Sequence, residues 1–108
     1  MNSKDTESIS FGTQIATVIR AARTGLGWSQ QYLATETGIS KPTIARIEMS
    51  NISPRADTID TIMKVFRARG VEIEILDAEV VVKFRRAALL SVQNKTNKAE
   101  PIRPSLDT

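Results

Sequence analysis

The sequence contains no cysteine and no histidine. Without cysteine there is no disulfide framework, no thiolate metal site and no thiol nucleophile. Without histidine the commonest general base and the commonest metal ligand are missing. Aromatic residues are scarce at 5%. No apolar run approaches membrane-spanning length, and no glycine-rich loop is arranged to cradle a phosphate. There is no internal repeat and no low-complexity run. These absences leave no catalytic constellation, so the sequence predicts a non-enzyme with no cofactor and no metal. The opening stretch MNSKDTESIS is polar and mixed in charge. It does not read as a signal peptide, and the expectation is a soluble, cytoplasmic, nucleoid-associated protein with no membrane contact.

The 108 residues suffice for one domain with a single core, and 41% of them are hydrophobic. The net charge of +3 is unevenly spread. Residues 12–69 hold eight Lys or Arg against four Asp or Glu, residues 70–84 one against four, and residues 85–108 five against two. A basic helical part suits a polyanion, although many ordinary domains carry a modest positive face.

Residues 1–10 read as a flexible lead. In residues 11–69 the pattern is helical throughout. Ile15, Val18, Ile19 and Ala22 recur at i, i+3, i+4 and i+7, an apolar stripe on a first helix that Gly25 and Gly27 stop. Leu26 and Trp28 tuck into the core. Ser29 then stands where a hydroxyl can cap a second helix. Leu33, Ala34 and Thr37 face inward, and Gly38 supplies the positive-φ residue that ends it. Ile39 plugs the corner. Ser40 caps a third helix, in which Pro42 is tolerable because its first turn has no N–H partner to lose. Ile44 and Ile47 give that helix a narrow buried edge. After the loop MSNISPR, Asp57 or Thr58 can start a fourth helix, with Ile59, Ile62, Met63 and Phe66 as its stripe.

Two helices joined by so short a turn must cross steeply, as in a helix-turn-helix. The third helix keeps Ile44 and Ile47 inside and leaves Lys41, Thr43, Ala45 and Arg46 on its outer side. A helix held away from its own core in this way can enter the major groove of DNA. The plainer alternative is a helical hairpin within a generic bundle.

The stretch GWSQQYLATETGISKPTIARIE resembles the helix-turn-helix of the Cro/C1-type repressors, the XRE family of bacteria and their phages. The marks are Ser29-Gln30 opening the second helix, Leu33-Ala34 within it, Gly38-Ile39-Ser40 at the turn, and Thr43-Ile44-Ala45-Arg46-Ile47-Glu48 in the third. The resemblance covers about residues 12–69. It implies a mainly α, lambda-repressor-like bundle of four to five helices and a sequence-specific, DNA-binding regulator that represses as a homodimer. It implies that Gln30 and Ser29 bind a phosphate at the start of the second helix. Lys41, Thr43 and Arg46 would reach base edges, Arg46 and Lys41 donating to guanine and Thr43 offering a hydroxyl and a methyl. Asn51 and Arg55 would clamp backbone phosphates. Arg23 and Glu48 match a structural ion pair between the first and third helices, a scaffold role rather than a catalytic one. Pro42 replaces a residue that often reads a base, so contact there must be apolar or absent. The glycine usual after the third helix is missing, and Asn51 is expected to take the positive-φ conformation in its place.

Residues 70–86 switch to a period of two. With Asp77-Ala78 as a two-residue turn, Val71, Ile73 and Ile75 face Phe84, Val82 and Val80, and all six lie on one side. Such a face must cover the helices or pair with a second copy. Pairing is the favoured expectation, because twofold-related half-sites call for a symmetric dimer. A rival reading starts a fifth helix at Asp77 and runs it through VVVKFRRAALL, against the β-branched run. The end, QNKTNKAEPIRPSLDT, contains two prolines and little apolar content, and residues 87–108 are expected to be mostly disordered. A second functional class follows from that tail. The chain could be an antitoxin-type module whose tail from Ala87 onward folds on a partner toxin.

Overall fold

The Ser10 hydroxyl accepts the Thr13 N–H at 3.0 Å and starts α1, Phe11–Gly25. Helix α1 buries Ile15, Val18, Ile19 and Ala22, the predicted stripe. In this computed structural model, residues 7–50 and 52–99 are described. Helices α2 (Gln30–Thr37), α3 (Lys41–Glu48) and α4 (Ala56–Ala68) follow, then strands β1 (Val71–Leu76) and β2 (Glu79–Phe84), and finally α5 (Arg86–Ala99). This is the mainly α bundle of five helices with one hairpin. Helix α4 starts one residue before the predicted Asp57, with Arg55 at the cap position and no side-chain capping hydrogen bond.

The core is one cluster. Leu33, Ile44, Ile47, Ile62 and Phe66 meet the α1 stripe, with Leu26 and Trp28 beneath the turn. Trp28 stacks on Phe66 with ring centroids 6.0 Å apart and meets Tyr32 edge-on at 4.9 Å.

The hairpin has the predicted register, with Val71 opposite Phe84, Ile73 opposite Val82 and Ile75 opposite Val80. Ala78 carries the turn at φ 61°. The destination of its apolar face differs from the expectation. Val71 is fully buried, and Ile73, Ile75, Val80, Val82 and Phe84 pack partly buried on the helical core. The six residues expected at a dimer contact therefore cover the protein's own helices. The connector Arg69-Gly70 holds the hairpin beside α1 and α4, so this burial costs no association entropy, whereas a second copy would have to be recruited. Burying Val71 alone contributes about 1.5–3 kcal/mol. Gln14, buried on α1, locks the hairpin end by donating from Nε2 to Leu76 O at 2.7 Å and Glu79 O at 3.0 Å.

The tail is the second correction. Residues 87–99, expected to be mostly disordered, belong to α5, while residues 100–108 lie outside the described part. The rival helix beginning at Asp77 is replaced by β2. Helix α5 docks because Ala88 is completely buried against Gly70, and the Arg85 N–H donates to Gly70 O at 2.8 Å. Gly70 sits at φ +86°, and a Cβ built there would lie 2.8 Å from the Ala88 backbone nitrogen. We expect Gly70→Ala to destabilise the fold by about 1–3 kcal/mol. Amide exchange in the first turn of α5 should accelerate more than in α1. Unchanged α5 protection would show that Gly70 does not set this contact.

Candidate nucleic-acid interface

Three local devices set the angle between α2 and α3. The Ser29 hydroxyl accepts the Tyr32 N–H at 2.9 Å, fixing the start of α2. Gly38 ends α2 at φ 75°, its N–H donating to Ala34 O. Two residues later the Ser40 hydroxyl accepts the Thr43 N–H at 3.3 Å. Pro42 falls in the first turn of α3, as its missing N–H requires.

Helix α3 is divided lengthwise. Ile44, Ile47 and Glu48 are buried, while Lys41, Pro42 and Arg46 are exposed and Ala45 is half-buried beside them. With 100° between successive residues, positions 41, 42, 45 and 46 share one face. That face carries two cations with an apolar shelf between them. Neither Lys41 nor Arg46 forms an ion pair among the described residues. Thr43 sits at the edge of this face, half-buried, and its hydroxyl oxygen accepts from Ser40 Oγ at 2.9 Å.

The carboxylate of Glu48 anchors the buried edge, with only 3% of the residue exposed. It accepts from Arg23 Nε at 2.6 Å and Arg23 Nη2 at 2.9 Å, a bidentate pair across the core. Gln30 Nε2 donates to the same carboxylate at 3.1 Å, and Arg20 Nη1 donates to the Glu48 backbone oxygen at 2.7 Å. Glu48 thus ties α3 to α1 and α2 at once. Sequence reasoning missed Arg20 and Gln14. Gln14 stands four residues before Val18 on the apolar stripe, and a polar residue on that stripe was the available signal.

The remaining predicted residues are dispersed. In this structure Gln30 faces inward to Glu48, leaving its second amide N–H for another acceptor. Ser29 is occupied as a cap. Arg55 is open, 84% exposed, with Asp57 at 3.4 Å. Asn51 lies outside the described residues. The residue before it, Ser50, has a positive φ of 61°.

A helix-turn-helix family model matches residues 19–73 of the 108, from within α1 to within β1. The chain belongs to the Cro/C1-type helix-turn-helix family. That family is one of DNA-binding transcription regulators, which accounts for two helices locked by caps with one cationic helical face turned outward. Strand β2 and helix α5 lie beyond the stretch that matches the Cro/C1-type model. No curated protein matches the chain. Among the described residues no helix is long and apolar enough to cross a membrane, and no group of three or more potential metal-binding side chains occurs.

Proposed function

We propose that this Cro/C1-type protein is a sequence-specific repressor that binds a twofold-symmetric operator as a homodimer, inserting α3 into the major groove. The observation that carries this reading is the division of α3. Its buried edge is held by Glu48, while Lys41, Pro42, Ala45 and Arg46 face out together. Arg46 donates to guanine O6 and N7, and Lys41, five residues earlier on the same face, reaches the same kind of acceptor. Pro42 and Ala45 offer apolar contact to a thymine methyl. Thr43 supports them from the edge of the face with its methyl and its hydroxyl proton. Ser29, the free amide N–H of Gln30, Asn51 and Arg55 serve the backbone phosphates on either side, giving salt-sensitive affinity.

Because the apolar face of the hairpin packs against the core, this reading moves the dimer contact elsewhere. The exposed Leu89 and Leu90 on α5 offer an apolar surface outside that face. The same two side chains support the second reading, in which α5 and the residues after it bind a partner protein of the toxin class.

Selection of bound duplexes from a random pool, followed by sedimentation of the complex, tests the proposal. A palindromic motif with half-sites about 34 Å apart, occupied by two chains, is the expected result. Enrichment of a single half-site by one chain would remove the dimer, and no enrichment would remove sequence reading.

A further inference from the structure

We propose that the cleft between α5 and the start of α2 binds a phosphate carried on a planar ring, of the nucleoside monophosphate kind. This cleft has a volume of about 420 Å³ and is lined by Trp28, Ser29, Tyr32, Arg69, Ser91 and Lys95. That size falls in the usual range for small-molecule sites, roughly 300–1,000 Å³.

Its chemistry is one-sided. Two cations line it and no carboxylate does. Lys95 Nζ rests against Leu26 O at 3.3 Å and Gly27 O at 3.4 Å, both long contacts, and keeps a third donor for a ligand. Arg69 is pinned by Glu36 and lies over the Trp28 ring at 5.2 Å, which leaves further guanidinium N–H groups unused. The hydroxyls of Tyr32 and Ser91 have no hydrogen-bond partner among the described residues. Lys95 and Arg69 therefore each keep spare donors at the cleft beyond those the fold uses, and the Tyr32 and Ser91 hydroxyls line it beside them. Tyr32, 40% exposed and held edge-on by Trp28, adds an aromatic wall on which a planar ring can lie. The site involves α5, which lies outside the family match, and is distinct from the outer face of α3. A ligand there would touch α5 through Lys95 and Ser91 and the DNA-binding domain through Tyr32 and Ser29, fixing one on the other.

Trp28 is the only tryptophan, so its fluorescence reports the cleft directly. The full chain, free of DNA, is titrated with adenosine monophosphate, with adenosine and with inorganic phosphate, by fluorescence and by calorimetry. The proposal expects saturable binding of the monophosphate, tighter than either half alone. Lys95→Gln should weaken it by roughly tenfold or more, the scale of a lost charge-assisted hydrogen bond, while Lys64→Gln on α4 leaves it unchanged. No binding by either method, or binding indifferent to Lys95→Gln, overturns the proposal. Equal affinity for inorganic phosphate and the monophosphate removes the planar ring from it. If Lys95→Gln weakens only DNA binding, the cleft is a contact for backbone phosphate and the free-ligand proposal fails.

Discussion

Glu48→Ala should lower folding stability by about 3–5 kcal/mol, because it leaves the Arg23 guanidinium in the core with no counter-charge. A typical domain has only about 5–15 kcal/mol in total. Little solvent is available to compensate, since side-chain exposure is 13% at Arg23 and 3% at Glu48. The loss does not stop at one bond. Gln30 Nε2 and two guanidinium N–H groups lose their acceptor together, and only the Arg20 bond to the backbone oxygen of residue 48 is left of the polar links from α3 to α1 and α2 described above. Denaturant titration of Glu48→Ala, Arg23→Ala and the double variant separates the pair from its surroundings. The double variant should cost clearly less than the two single losses added, since neither charge is then left alone. A loss under about 1 kcal/mol for Glu48→Ala would mean that water enters and screens the guanidinium.

Phe66→Ala should cost a similar amount, about 3–5 kcal/mol. Phe66 is fully buried on α4 and forms the floor under Trp28, with ring centroids 6.0 Å apart. Removing the ring opens a cavity beneath the turn that joins α1 to α2. The neighbouring Ile47 and Leu33 are held by α3 and α2 and cannot close it by small shifts, because cores are packed near crystal density. Two readouts apply. The denaturation midpoint should fall, and Trp28 emission should move to longer wavelength as its environment loosens. A loss below about 1.5 kcal/mol with unchanged emission would show that the core collapses around the site.

Much of this architecture was legible in the chain, and for identifiable reasons. Ser29, Gly38 and Ser40 act locally, through hydrogen bonds spanning three or four residues, so their positions predict their geometry. The alternation from Val71 to Phe84 fixes the hairpin register in the same way, since a slip by one residue would turn the apolar side outward. What the alternation could not tell was which surface meets that side. An apolar face records a need for burial and not the identity of its cover, and here the short Arg69-Gly70 connector decided in favour of α1 and α4. Helix α5 was obscured by its polar second half, QNKTNKA. Its docking rests on Ala88, a residue too small to stand out, entering the space that Gly70 leaves. On the interface, exposure of Lys41 and Arg46 follows from helical spacing. The inward turn of Gln30 does not, because it depends on a carboxylate 18 residues away.

The central claim is that the outer face of α3 reads bases, and Arg46 tests it most directly. Affinities of the natural protein and of Arg46→Ala are measured on the selected duplex and on every single-base-pair replacement of it. The account predicts a loss of about 1–3 kcal/mol on the selected duplex and relaxed preference at one base pair in each half-site, with preferences elsewhere retained. An equal loss on every duplex, with all preferences intact, would place Arg46 on a phosphate and contradict the account.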